Sequence, residues 1–159
     1  MDDKHFHYNV SSELMMKYLA IHRMISLMYQ HTHWITRGTA FYADHLLYER
    51  LYNKVSEEID TVAEKAVGLS GEESVCPMQT TRLALSLMES LFPNFNIMCD
   101  PHELVECLIT METEFVNQSN SLYEKLESED QMTLGLDDMI SSLHSSHEEN
   151  LYLLKQRYK

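Results

Sequence analysis

The chain has 159 residues, 44% of them apolar. That length fits one domain with a sizeable core, and no apolar run approaches the ~18 residues of a membrane span. The formal net charge of −13 works against nucleic-acid binding, which needs clustered Lys and Arg to displace counterions, and suits a surface that draws in cations.

In chain order, residues 1–10 (MDDKHFHYNV) form a polar N-terminal arm without the basic-then-apolar order of a secretory signal, so a cytoplasmic protein is expected. Residues 11–159 are expected to form a single domain. Over 11–36, Leu14, Tyr18, Ile21, Ile25 and Met28 recur at 4-3-4-3 spacing, predicting an amphipathic helix capped by Ser11 or Ser12. Arg37-Gly38 ends it. A second helix is predicted over about 39–68, with Leu51, Val55, Ile59, Val62, Ala66 and Leu69 as its apolar stripe. A loop holding Cys76-Pro77, a short helix near 78–91 and a Pro93/Asn94/Asn96 break follow. Asp100-Pro101 opens a third long helix, 101–127, with Leu104, Leu108, Met111, Phe115, Leu122 and Leu126 inward. The last helix is predicted at about 136–157. Cys76, Cys99 and Cys107 are odd in number and lack C-x-x-C spacing, which argues against disulfide staples and a zinc ribbon. With no β-type alternation, the chain reads as all-α: a ferritin-like four-helix bundle with a short helix in the crossover between the second and third long helices.

Five metal-capable side chains, His33, His45, Glu49, Asp60 and Glu64, fall within one short stretch. On a helix turning about 100° per residue, the last four share one arc of about 100°, away from the apolar stripe. That face meets either solvent or another chain. At ~1.5 Å per residue, His45/Glu49 lies about 22 Å from Asp60/Glu64, too far for one ion whose ligand bonds are ~2.0–2.2 Å. An antiparallel copy of the helix, crossing near Lys54 and Val55, would bring the first pair of one chain beside the second pair of the other. A two-fold dimer does this, giving two identical shared sites. Imidazoles and carboxylates without thiolate suit iron and, to a lesser degree, zinc or manganese.

The run His33-Trp34-x-x-x-Gly38, then Phe41-x-x-x-His45-x-x-x-Glu49, then Asp60-x-x-x-Glu64 resembles the ferroxidase signature of the Dps mini-ferritins, the DNA-binding proteins from starved cells. The match runs without gaps over residues 33 to 64. Near the C-terminus, His147-Glu148-x-x-x-Tyr152-x-Leu154 is similar to the family's H-E-x-x-x-W-x-L. Glu49 stands where the family usually has Asp, and Tyr152 where it usually has Trp.

The resemblance implies a ferroxidase that oxidises Fe(II) with H2O2 or O2 at a di-iron site shared across a two-fold interface, and that stores the ferric mineral in a hollow cage of twelve chains. It also implies Trp34 as an electron donor and Asp137 and Asp138 as acids of the pore that admits iron, although the family's Thr in that motif is missing. The lysine-rich tail that many members use on DNA is missing too, so no DNA binding is expected at neutral pH. A nucleoid-compacting protein with a secondary metal site is the alternative.

Each residue also has a plainer reading. His33 alone would pass for a structural histidine, His45/Glu49 for an i,i+4 pair, Asp60/Glu64 for a solvated face and Trp34 for packing at a dimer contact. His22 and His31 read as structural or surface residues. The intrasubunit Glu-x-x-His di-iron pattern is absent, since none of the nine His has a Glu three residues before it.

Overall fold

In a computed structural model, which describes residues 10–95 and 100–159, the chain is helical throughout its regular structure. Five α-helices and one turn of 3-10 helix follow each other: α1 Ser12–Ile35, α2 Phe41–Ser70, the 3-10 turn Glu72–Val75, α3 Pro77–Leu91, α4 Pro101–Ser128 and α5 Leu134–Tyr158. The four long helices form a bundle. α1 lies along α2, α4 along α5, and α1 also touches α4; the short α3 sits on the long connection between α2 and α4 and packs on α1. This is the expected ferritin-like arrangement. The expected arm lies outside the described residues, except for Val10.

Local chemistry sets the helix ends. Ser11 Oγ accepts from the Leu14 N–H at 3.3 Å, and the Ser11 N–H donates to Gln131 Oε1 at 2.8 Å, tying the start of α1 to the α4–α5 turn. Asp100 and Glu103 form a capping box with Pro101 just inside the helix. α2 runs past Gly68 to Ser70 and stops at Gly71, whose φ of 91° a side chain would resist. α5 starts two residues before the expected 136, because Thr133 Oγ1 caps it by accepting from the Leu136 N–H at 3.1 Å.

Between the helices lies a core rich in methionine, with Met15, Met16, Met24, Met28, Met111 and Met139 buried. All six inward positions expected on α4 are buried. Embedded in this core are polar groups: His22, Glu58, Glu112, His147 and Asn150. Near the start of α2, the buried Asp44 receives two hydrogen bonds from Arg157 of α5, at 2.6 and 2.8 Å.

Candidate metal sites

The hairpin between α1 and α2 brings two of the expected ligands together. His33, in the last turn of α1, and His45, in the first turns of α2, stack with ring centroids 3.8 Å apart and planes 25° from parallel. His33 Nδ1 lies 3.0 Å from the His45 carbonyl oxygen, and His45 Nδ1 lies 3.1 Å from the His33 carbonyl oxygen. A carbonyl only accepts, so both Nδ1 atoms carry hydrogen, and in the neutral rings both Nε2 atoms keep a lone pair for a metal. Such an N–H-to-carbonyl tether is the usual support of a metal-binding imidazole. Phe41 and Tyr52 border the pair, with ring centroids 5.1 Å from His45 and 5.3 Å from His33.

Glu49 follows one turn after His45 and is half-buried, whereas Asp60 and Glu64 are exposed farther along the same helix. Within one chain Asp60 and Glu64 do not join the histidines, as the helix arithmetic requires. Trp34 is 67% exposed beside His33, so it does not fill this chain's own core. Asp137 is half-buried and Asp138 exposed in the first turns of α5.

A second constellation lies in the bundle's interior. Among the described residues, one group of three or more His, Cys, Asp or Glu gathers its potential donor atoms closely: His22, Glu58 and His147, with one atom from each within 4.8 Å of the others. His147 sits between two carboxylates, with Nδ1 2.6 Å from Glu112 Oε2 and Nε2 2.9 Å from Glu58 Oε2. Its ring stacks on Phe115 at 3.6 Å. Glu112 also accepts from the Tyr29 hydroxyl and, at 3.3 Å, from the Asn150 amide. Glu58 accepts from the Ser146 hydroxyl at 2.7 Å. His22 Nδ1 donates to the Tyr18 carbonyl at 2.7 Å, and its fully buried Nε2 has no hydrogen-bond partner.

The charges follow from this packing. Burial opposes a charge on His147, yet Glu112 and then Glu58 outweigh it and lift the ring to about 9, so it is an imidazolium at neutral pH. Burial would raise Glu58, but the hydrogen bond and charge of His147 hold it below the ordinary carboxylate value. His22 goes the other way: burial first, and the His147 charge second, push it down to about 4, so it is neutral.

Of the two readings for His22, structural or surface, the side chain takes the buried one, wholly in the core. Glu58, Glu112 and Tyr29 drew no notice in the sequence. One signal was there. Glu58 occupies the core register of α2 between Val55 and Val62, where a carboxylate has no reason to be unless it has buried partners.

Together, a four-helix ferritin-like bundle and a hairpin-borne histidine pair define the class of the molecule. The chain has the fold of Dps proteins. Solved structures similar to it include Dps from Thermosynechococcus elongatus, at 21% identity over 93% of this chain and 89% of that one with a TM-score of 0.80. A variant of Listeria innocua Dps is 19% identical over 94% and 96% of the two chains, also at 0.80. Vibrio cholerae Dps, described as a member of a broad superfamily of ferritin-like diiron-carboxylate proteins, is 18% identical over 93% and 88%, at 0.76. At these identities the likeness is one of fold. No family model and no curated protein matches the sequence.

Proposed function

We propose that this chain is the subunit of a Dps-type mini-ferritin: residues 1–10 as an arm, residues 11–159 as one bundle domain, and twelve chains built from two-fold dimers into a cytoplasmic cage. Its substrate is Fe(II). The metal-binding residues are His33, His45 and Glu49 of one chain with Asp60 and Glu64 of the partner subunit, and H2O2 or O2 accepts the electrons. Zinc or manganese would occupy the same donors. Asp137 and Asp138 help admit iron, and Trp34 is both dimer anchor and a nearby electron donor.

The observation that carries this reading is the reciprocal tether of His33 and His45. It fixes both tautomers and leaves two Nε2 lone pairs beside a face that bears Glu49, Asp60 and Glu64. The acids Asp60 and Glu64 are too far along α2, about 22 Å by helix rise, to serve the same ion from the same chain. A two-fold copy supplies them.

The test is complementation. One chain carries His33→Ala with His45→Ala, another Asp60→Asn with Glu64→Gln, and each alone assembles with little rapid iron oxidation. Co-assembled in equal amounts, random pairing makes about half of the dimers mixed, each with one restored site, so about a quarter of the wild-type rate returns. No recovery on mixing would overturn the shared site.

A further inference from the structure

We infer that each subunit holds a second metal site in the middle of its own bundle, where His22, Glu58 and His147 bind a single divalent first-row transition-metal ion. The site is independent of the interface, since all three ligands belong to one chain and come from α1, α2 and α5.

Three observations carry it. His22 Nε2 is a fully buried lone pair with no partner, an arrangement that costs stability unless something fills it. Its other nitrogen is committed to the Tyr18 carbonyl, so Nε2 alone is free to coordinate. The remaining two ligands have the same kind of support: the Nδ1 of His147 donates to Glu112, which Tyr29 and Asn150 hold in place, while Ser146 orients Glu58. A carboxylate–imidazole pair of this kind is the usual backing of a metal-bound histidine.

The spacing is close to what an ion needs. Bonds of ~2.0–2.2 Å let donors span up to about 4.4 Å around one centre, and the largest separation here is within 4.8 Å, so side-chain rotations of a few tenths of an ångström close the set. Two imidazoles and one carboxylate favour zinc(II) or iron(II) over magnesium or calcium, which take oxygen. A divalent cation also suits a core pocket that gathers the carboxyl groups of Glu58 and Glu112 around His147.

Cobalt(II) is a suitable probe because its visible absorption reports nitrogen and oxygen ligation in a site of low coordination number. The full chain carrying His33→Ala and His45→Ala, which removes the interfacial histidines, should still retain about one cobalt per subunit after desalting, displaceable by zinc(II). Adding His22→Gln should weaken that binding by about 100-fold or more, and adding Ser146→Ala instead should weaken it about tenfold through loss of orientation. Absence of tight cobalt in the starting variant overturns the inference. So does binding that His22→Gln leaves unchanged. Should His22→Gln not assemble, the Ser146→Ala result decides alone, and unchanged affinity there overturns the site. A failure of the interfacial reading shows separately, as equal metal content in the wild type and the His33→Ala/His45→Ala chain.

Discussion

Arg157, in the last turn of α5, grips Asp44, in the first turn of α2, through Nε at 2.6 Å and Nη2 at 2.8 Å, one residue before the proposed ligand His45. This two-pronged contact is the strong form of an Arg–carboxylate pair, and the Asp44 end of it is buried, with a side chain only 3% exposed. The end of α5 thereby fixes the start of α2, the helix that carries most of the proposed ligands.

Removing the guanidinium leaves a buried carboxylate without a partner. Arg157→Ala is expected to cost about 1–3 kcal/mol, discounted for the partial exposure of the arginine, which lowers the thermal midpoint by roughly 2–12 °C for a chain of this size. Because His45 follows Asp44, iron affinity should fall with it. Calorimetric melting with an iron-binding titration of the same sample checks both, and an unchanged midpoint would show that the contact contributes nothing.

The exposure of Trp34 gives a second expectation. Buried at a subunit contact, an indole typically contributes about 2–4 kcal/mol to association, so Trp34→Ala should loosen the two-fold dimer and slow iron oxidation together. Sedimentation and stopped-flow absorbance measure the two effects. Trp34→Phe separates the roles: it should restore much of the assembly but not electron donation.

The core histidines predict an unusual pH dependence for the metal-free protein. His147 is raised to about 9, so its contribution is complete below the unfolded value of ~6.5 and is lost as pH rises through 9. His22 is lowered to about 4, so the folded state resists its protonation, and stability falls as pH drops from ~6.5 toward 4. Glu58, held below its ordinary value, loses its contribution in the acid range as well. Stability should therefore peak near pH 6.5 and decline on both sides, as denaturant midpoints across pH would show. In a His147→Phe chain the alkaline decline should vanish.

With a net charge of −13, no duplex shift is expected at physiological salt and neutral pH, because binding needs several Lys or Arg contacts per site. Nearer pH 5.5 the accessible histidines charge and the repulsion weakens. Gel shift at both pH values tests this, and tight neutral binding with a steep salt slope would sink the storage reading.

How much the sequence disclosed depended on where each residue's partners lie along the chain. The register of Tyr18, Ile21, Ile25 and Met28 is local, so α1 was readable to within a residue or so at each end. The stretch from Gly68 to Gly71 was readable as the end of α2, and the helix stops at the positive-φ Gly71. Similarly, four of the candidate interfacial ligands sit on α2 and the fifth, His33, in the last turn of α1, so the spacing of the four could be converted into angle and rise. The core cluster takes one ligand from each of several helices. Glu58 and Glu112 are distant in sequence, and no periodicity relates them. The His33–His45 tether was also invisible, since it runs through main-chain carbonyls that no side-chain pattern encodes.

The hydrogen-bonded path from Tyr29 through Glu112 and His147 to Glu58 and Ser146 crosses all four long helices. Methionine adapts its shape readily, so a Met-rich interior alone would tolerate a helix slipping by one turn along its neighbours. The polar path would not: a slip of α1, α2, α4 or α5 strands a buried charge or donor, at a cost of several kcal/mol. These residues are thus expected to act as a latch that fixes where each helix stops sliding. Replacing Glu58, Glu112 and His147 together by Met, Leu and Phe should give a bundle at least as resistant to denaturant but with broadened, multiple amide resonances, whereas a single sharp set would show that apolar packing alone fixes the alignment.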